Sequence, residues 1–379
     1  SRPAPTRRRS GVTRIYLDYN ASAPLRPEAR AAMTAAWDVV GNASSVHWHG
    51  RRAHALIEQA RETVAAAVGA APAGVVFTAG GTEANNLALA FGAERPLLVS
   101  AIEHDSVLRT AFARGGAVVP ATAAGTVDLD SLDRQLAAAG PGALVALMAV
   151  NNETGVIQPV AEAVAMARRH GALVHCDAVQ ALGRVPLDMA ALGVDMLALS
   201  AHKIGGPQGV GALVLREGVA PPPLLHGGGQ ERGRRPGTQN VAGIAGFAAA
   251  VAVTAAGEGA DLAGWRDAME ARIVAGCPTA VVAGANAPRV GGVSCIALPG
   301  LRAETQLMML DLEGFSVSAG SACSSGKVSQ SHVLGAMGLD EAVAGCAIRV
   351  SAGWASRREE LEAFADAWLA MAAKHGRAA

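Results

Sequence analysis

The chain has 379 residues, of which 51% are hydrophobic and 17% are charged, and its formal net charge at pH 7 is zero. A chain of this length is expected to form two domains, and the balanced charge argues against a surface for nucleic acids or membranes. No apolar window reaches the roughly 18 residues that a membrane-spanning helix needs, and the opening Pro/Arg-rich segment lacks the apolar stretch of a secretory signal. The five cysteines are scattered without the spacing of a metal site. We therefore expect a soluble, cytoplasmic protein with free thiols and no bound metal.

Apolar runs alternate with segments of helical period between about residues 60 and 215. The runs that we interpret as buried strands are 75–78, 97–100, 144–150, 173–176 and 196–200. Their hydrophobicity is continuous, which indicates a sheet covered on both faces and hence an α/β fold with a mainly parallel central sheet flanked by helices. In such a sheet the ligand is expected beyond the carboxyl ends of the strands.

An Ala/Gly-rich stretch near 254–261 predicts a domain boundary. After it we predict helices at 265–273, at 303–313 and from Arg357 onward, with short strands near Val281 and Ser294. This pattern favours a smaller α+β domain. We expect a large α/β domain over residues 16–258 and a small domain built from residues 1–15 and 259–379.

The segment Phe77-Thr-Ala-Gly-Gly-Thr-Glu-Ala-Asn-Asn86 predicts a strand, a glycine turn and the start of a helix. Such a turn offers backbone N–H groups and a helix dipole to an anion, with the Thr82 hydroxyl as a further donor. The alternative is an ordinary helix start capped by Thr82. No lysine follows the glycines, so this is not a Walker motif.

Several polar side chains follow the predicted strands at the same sheet edge. Asp177 would be costly there without a partner such as a protonated ring nitrogen, although a salt bridge or a helix cap would also serve. His104 is an acid/base or ring-stacking candidate only because of this location, since a lone histidine is more often structural. Asn152 could form a hydrogen bond with a cofactor hydroxyl.

Lys203 follows the strand at 196–200 and precedes a Gly/Pro-rich turn and a second apolar strand that ends at Leu215. Partial desolvation at such a place disfavours the ammonium form and suits Schiff-base chemistry. A solvated lysine at a strand end is the alternative. Together with an anion cradle, an acid and a stacking histidine, Lys203 matches what a pyridoxal phosphate (PLP) enzyme requires.

Cys323 lies in the Gly/Ser-rich segment Val317-Ser-Ala-Gly-Ser-Ala-Cys-Ser-Ser-Gly326, where nothing apolar surrounds it in sequence. An accessible cysteine of this kind is a plausible nucleophile. Cys176, Cys295 and Cys346 lie in apolar surroundings, and we interpret them as core residues.

These segments, in this order, resemble the cysteine desulfurases of the NifS/IscS type, in the class V aminotransferase group of fold-type I PLP enzymes. The resemblance covers nearly the whole chain. Further segments that carry it are Ile15-Tyr-Leu-Asp-Tyr-Asn-Ala21, Gly41-Asn-Ala-Ser-Ser45, Asn151-Asn-Glu-Thr-Gly155, Gly237-Thr238 and Ile348-Arg-Val-Ser351.

The resemblance implies a role for each matching position. Lys203 would bind PLP as a Schiff base and act as the base at the substrate Cα, and His104 would stack on the ring and shuttle protons. Asp177 would pair with the ring nitrogen, while Gln180 would bind the ring hydroxyl. The phosphate would be held by Gly81, Thr82, Ser200, His202 and, from the partner subunit of a homodimer, Thr238.

The resemblance also implies how the substrate, L-cysteine, would react. Arg349 would bind its carboxylate with Asn152 nearby, and Cys323, on a mobile loop at about 316–330, would take its sulfur as a persulfide and release L-alanine. A sulfur acceptor or scaffold protein, for iron–sulfur cluster assembly or another pathway, would then be a partner. The chain departs from the family pattern at Trp354, where an arginine is usual, and at Ala43, where a proline is usual. Its tail beyond Arg349 is also shorter than in housekeeping members.

Three other functions are compatible with parts of this pattern. A selenocysteine lyase or another class V aminotransferase would need no attacking thiol at Cys323. A catalytically silent partner should lack Lys203 or Asp177, and this chain keeps both. A dinucleotide-binding enzyme would need a Gly-x-Gly-x-x-Gly loop, which is absent at the glycine turn.

Overall fold

The computed structural model describes residues 14–91, 94–254, 260–320 and 330–376. Its strands in chain order are β1 (Ile15–Tyr16), β2 (Val75–Thr78), β3 (Leu97–Ser100), β4 (Ala117–Val119), β5 (Leu144–Met148), β6 (Leu173–Asp177), β7 (Met196–Ser200), β8 (Gly211–Leu215), β9 (Val281–Val282), β10 (Val293–Ala297), β11 (Phe315–Ser316), β12 (Ser318–Ala319) and β13 (Ala347–Ser351). Its α-helices are α1 (Pro27–Trp37), α2 (Trp48–Ala67), α3 (Gly81–Ala90), α4 (Asp105–Phe112), α5 (Leu129–Ala139), α6 (Val160–Arg169), α7 (Met189–Leu192), α8 (Val241–Val253), α9 (Ala260–Gly276), α10 (Ala303–Leu312), α11 (His332–Ala336), α12 (Glu341–Ala344) and α13 (Arg358–Gly376).

The central sheet has seven strands in the order β2-β8-β7-β6-β5-β3-β4. Neighbouring strands from β7 to β4 pair in parallel, whereas β8 is antiparallel to both β2 and β7. Val145 and Leu147 of β5 belong to the core on one face of the sheet, and Leu144 and Ala146 belong to the core on the other. Both faces are therefore covered, which explains the uninterrupted apolar strands and confirms the α/β fold with a mainly parallel sheet.

Two details of the sheet differ from the sequence prediction. The strand predicted at 144–150 ends at Met148: the Ala149 N–H makes the last hydrogen bond to β6, at the Asp177 carbonyl, and Val150 makes only an isolated bridge with Ile157. Strand β4 was not predicted. It has three residues and begins at an exposed alanine, which is too little sequence for a period to appear.

A second, antiparallel sheet contains β12, β13, β10 and β9 in that order. Phe364 and Trp368 of α13 pack against its strands and are fully buried. The segment after β1 joins this part of the molecule because β1 pairs in parallel with β11 and Asp18 bridges to Ser351. Within the described ranges, no helix is long and apolar enough to cross a membrane.

Candidate active site

A cavity of about 830 Å³ lies at the carboxyl ends of β5, β6 and β7, where the parallel sheet predicts a ligand. This volume suits a small organic molecule. All but two of the site residues expected from the sequence line this cavity. The residues that line it are Gly81, Thr82, His104, Asn152, Asp177, Gln180, Ser200, His202, Lys203 and Arg349. Thr238 lies on an exposed turn away from this cavity. Cys323 lies outside the described residues, as does most of the loop expected at 316–330.

Asp177 is the last residue of β6 and is 6% exposed. Its Oδ1 accepts the N–H of Val179 at 3.0 Å, and its Oδ2 accepts Nδ2 of Asn85 at 2.7 Å. These two N–H donors stabilise a carboxylate at the cavity wall. Each oxygen keeps a further lone pair for a cationic ligand.

Lys203 ends a short 3₁₀ turn that follows β7 directly, so the strand delivers its amine to the cavity. Nζ donates hydrogen bonds to the carbonyl oxygens of Asn20 at 2.6 Å and of Ala21 at 2.9 Å. The Asn20 carbonyl also accepts Nε2 of Gln180 at 3.0 Å. The remaining amide oxygen of Gln180, Oε1, is buried without a hydrogen-bond partner among the described residues, so a donor from a ligand would satisfy it.

The glycine turn before α3 excludes one interpretation of the sequence. The N-cap residue is Gly80, no side chain caps the helix, and Thr82 lies inside the first turn, so the predicted cap by Thr82 is wrong. Gly80 has φ +152° and ψ −177°, a conformation that is essentially restricted to glycine. The helix N-terminus thus faces the cavity with N–H groups that no side chain caps, as an anion site requires.

His104 and His202 line the same cavity in different hydrogen-bonding states. His104 is the N-cap of α4, and its Nδ1 accepts the Ser106 N–H at 3.1 Å, which leaves the proton of the neutral ring on Nε2. One ring nitrogen of His104 therefore caps the helix, and the other can donate a hydrogen bond in the cavity. Burial, followed by the charge of Lys203, lowers the pKa of His202 to about 4, so this imidazole is neutral at physiological pH. Its Nδ1 lies 3.3 Å from Oγ of Ser22.

Arg349, on β13, reaches the cavity from the second sheet. Nη2 donates to Oδ1 of Asp18 at 2.8 Å, and Nη1 donates to the carbonyl of Asn152 at 3.2 Å. The guanidinium is nearly buried and held by two elements that are distant in sequence. This rigid cation can receive a carboxylate.

Trp354 packs behind the turn that carries Lys203. Its indole donates to the Pro24 carbonyl at 3.1 Å, and the Arg26 guanidinium lies 4.9 Å from its ring centre. Arg26 in turn donates to the Ile204 carbonyl at 2.8 Å. The aromatic ring therefore supports the backbone next to the lysine.

Four residues of the site were not singled out from the sequence: Asp18, Asn20, Asn85 and Ser106. Three of them lie within motifs that carry the family resemblance or the glycine turn, at 15–21 and 77–86. Ser106 follows His104 by two residues. Their place in or beside these motifs was the available signal. Most of the side chains that these four residues contact are distant in sequence, so the sequence could not show what each of them binds.

Comparisons with known proteins agree with this geometry. The sequence model of the family "Aminotransferase class-V" matches residues 15–364. An IscS-like cysteine desulfurase of Mycobacterium tuberculosis is 39% identical over 96% of this chain and 98% of its own length. A cysteine desulfurase of Cereibacter sphaeroides is 41% identical over 90% of this chain and 91% of its own length. The crystal structure of a NifS-like protein from Rickettsia africae superposes with a TM-score of 0.88 at 33% identity, covering 94% of this chain and 98% of that one. The chain therefore belongs to the class-V aminotransferase family and, within it, to the cysteine desulfurases of the NifS/IscS type.

Proposed function

We propose that this protein is a PLP-dependent cysteine desulfurase that converts L-cysteine to L-alanine and takes the sulfur on Cys323 as a persulfide. The observation that carries the proposal is the meeting of Lys203, Asp177 and Arg349 in one cavity, each held by hydrogen bonds to distant parts of the chain. A lysine, a buried carboxylate and a rigid guanidinium are what an amino-acid-binding PLP site needs. The relatives named cysteine desulfurase support the same activity.

The residues present fit PLP. The unpartnered Oε1 of Gln180 suits the ring hydroxyl, and Asp177 suits a protonated ring nitrogen. We assign the phosphate to the start of α3 with Gly81 and Thr82. Ser200 and His202, which line the same end of the cavity, complete this group.

When bound, PLP supplies an electron sink for the charge that develops at the substrate Cα. Lys203 would bind the cofactor and remove the Cα proton, and His104, with its proton on Nε2, would stack on the ring and move protons. Arg349 orients the substrate through its carboxylate, next to Asn152. The neutral His202 donates a hydrogen bond without adding charge to the phosphate group's surroundings.

Sulfur transfer follows from a thiolate at Cys323. Its sulfur attacks the substrate sulfur, a new S–S bond forms, and the C–S bond of the substrate breaks with its electron pair left on Cβ. One proton is then added at Cβ, and the proton that Lys203 removed is returned to Cα, which completes L-alanine. Atoms balance without an external oxidant, because the thiol and L-cysteine become a persulfide and L-alanine.

We infer a homodimer from exposed apolar side chains at the end of α1, around the start of α2 and in the segment after β8. They are Trp37, Val40, Val46, Trp48, Leu224 and Leu225. Large apolar side chains left in water favour a partner surface. Gln230, in the exposed loop that carries Thr238, donates to Oγ of Ser44 just before α2 at 3.5 Å, which supports the proposal that Thr238 serves the site of a second copy.

We further propose a cytoplasmic protein that passes its persulfide sulfur to an acceptor or scaffold protein, for iron–sulfur cluster assembly or another thiolation pathway. We also propose a large domain over 16–258 and a small domain over 1–15 and 259–379 that carries the Cys323 loop. The largely separate apolar cores of the two sheets support this division, although Leu17 packs in the core of the second sheet and Val293 in that of the central sheet.

The test uses three purified proteins: wild type, Lys203→Ala and Cys323→Ser. Wild type should be yellow and should release one alanine per sulfide from L-cysteine in the presence of a thiol reductant. Lys203→Ala should lose the colour and the activity, whereas Cys323→Ser should keep the colour and lose sulfide release. Full activity of Cys323→Ser with L-cysteine would show that the persulfide mechanism is wrong and would favour a lyase, for which selenocysteine is the diagnostic substrate.

A further inference from the structure

Asn85, on the buried side of α3, connects three polar side chains at the cavity wall. Its Nδ2 donates to Oδ2 of Asp177 at 2.7 Å and to Oγ of Ser106 at 2.9 Å, and its Oδ1 lies 2.8 Å from Nε2 of His175. The Asn85 side chain is 1% exposed and His175 is fully buried. Buried polar groups of this kind are expected to be hydrogen-bonded within the protein.

The charge state of the neighbours fixes the direction of these bonds. Burial lowers the pKa of His175 to about 4, so its ring is neutral, with one N–H to donate. Because Asp177 can only accept from the Asn85 amide nitrogen, the amide oxygen of Asn85 is left to accept from Nε2–H of His175. His175 therefore fixes the orientation of Asn85, and Asn85 directs two N–H bonds toward Asp177 and Ser106.

A second buried carboxyl group competes with Asp177 for negative charge. Glu103 is fully buried, and the charge on Asp177 adds to burial in raising its pKa well above the ordinary value. Its Oε1 accepts the N–H of Met148, the residue that pairs with Asp177 across β5 and β6, at 2.7 Å. Its Oε2 has no hydrogen-bond partner within the described parts of the chain. Two buried carboxylates that repel each other cannot both be charged without a large cost.

The two carboxyl groups differ in their N–H donors. Asp177 receives one from Asn85 and one from Val179, whereas Glu103 receives only one, from Met148. We propose that Asn85 is a positioning residue whose amide keeps the negative charge of the Glu103–Asp177 pair on Asp177, the member that lines the cavity. The inference deepens the proposed function and rests on it, since the charge on Asp177 matters there only as the partner of a ring nitrogen.

The test compares the apoprotein's affinity for two cofactors, PLP and the analogue in which a CH group replaces the ring nitrogen. Asn85→Ala removes the donor, and Asn85→Leu removes it with nearly the same volume, in case the alanine variant does not fold. Far-ultraviolet circular dichroism and the melting temperature of the apoprotein check folding. Equilibrium titration then gives the dissociation constant of each variant for each cofactor.

We expect both Asn85 variants to bind PLP about tenfold more weakly than wild type, the size of effect expected for a lost hydrogen bond to a charged group. Their affinity for the CH analogue should change less than twofold, because that ring has no nitrogen to pair with Asp177. The control is Asn86→Ala, which removes an amide one residue further along that donates to the Thr82 carbonyl and does not contact Asp177. Any loss in this control should be equal for the two cofactors.

An equal loss with both cofactors in the Asn85 variants would show that Asn85 only supports the cavity shape, and unchanged PLP affinity would show that Asp177 keeps its charge without it. Either result overturns the inference while the function stands. Failure of the wild-type protein to bind PLP would instead overturn the proposed function itself, so the two failures are distinguishable.

Discussion

Arg349 donates a hydrogen bond from Nη2 to Oδ1 of Asp18 at 2.8 Å, across 331 positions of the sequence. The arginine proposed to bind the substrate carboxylate is thus held by an acid from the segment after β1. Asp18 sets the direction of the guanidinium before any substrate arrives, which is the preorganisation that binding sites use to reduce their entropic cost.

This pairing predicts a selective effect of Asp18→Asn. Without the charged partner the guanidinium loses its fixed direction, so KM for L-cysteine should rise about tenfold with a smaller change in kcat. Steady-state kinetics measures both, and Arg349→Lys should raise KM further because lysine cannot bind a carboxylate in a bidentate way. A lower KM for Asp18→Asn would mean instead that Asp18 competes with the substrate for Arg349.

His175 predicts how stability depends on pH. Its pKa is about 4 in the folded protein, below the ordinary 6.5, so the unfolded chain binds the extra proton first as the pH falls. The stabilisation from the neutral ring is therefore complete above about pH 6.5 and is lost between about pH 6.5 and 4, and it amounts to about 3 kcal/mol. Urea unfolding of His175→Gln should show a correspondingly flatter loss of stability over this window than wild type. Equal slopes for the two proteins would contradict the prediction.

The backbone at Gly80 predicts a cost that is purely conformational. A Cβ added at Gly80 would meet no atom within 4 Å, yet the residue has φ +152°. Gly80→Ala should therefore lower the free energy of unfolding by about 1–3 kcal/mol through strain alone. The matched control is Gly335→Ala in α11, where a Cβ also has open space but φ is not positive, and alanine should be neutral or stabilising there. Equal stability of both variants would show that the turn adapts without strain.

The buried ion pair between Arg61 and Glu231 predicts a large effect from a small change. The guanidinium binds both carboxylate oxygens, at 2.8 and 3.0 Å, while Glu231 also accepts the Phe77 N–H of the edge strand β2. Glu231→Gln leaves the buried Arg61 with only the more exposed Glu58 as an anionic partner and should cost about 3–5 kcal/mol in unfolding free energy. Chemical denaturation of the apoprotein measures it, and Glu362→Gln at the exposed pair with Arg358 should change stability by less than about 1 kcal/mol. Similar losses of unfolding free energy in both variants would show that burial does not make the Arg61–Glu231 pair more important for stability than an exposed pair.

Much of the fold could be predicted from short-range pattern. The strands of the central sheet, the glycine turn before α3 and the lysine after β7 are visible in sequence because continuous hydrophobicity, glycine and strand ends are local features. Local pattern failed for β4, which is too short to show a period, and for Thr82, whose residue type suits a cap although the turn makes Gly80 the N-cap residue.

The sequence by itself determined most strands of the central sheet, the family and most of the residues at the sheet edge, because hydrophobic period and motif spacing are encoded along the chain. Only the tertiary structure decided which groups hold those residues in place. Asn85 meets Asp177 across 92 positions and Asn20 meets Lys203 across 183, so these hydrogen bonds exist only after the sheet has assembled. The charge that each buried group carries depends on such long-range partners, since burial makes an unpaired charge costly and the nearest N–H donors decide where the charge remains.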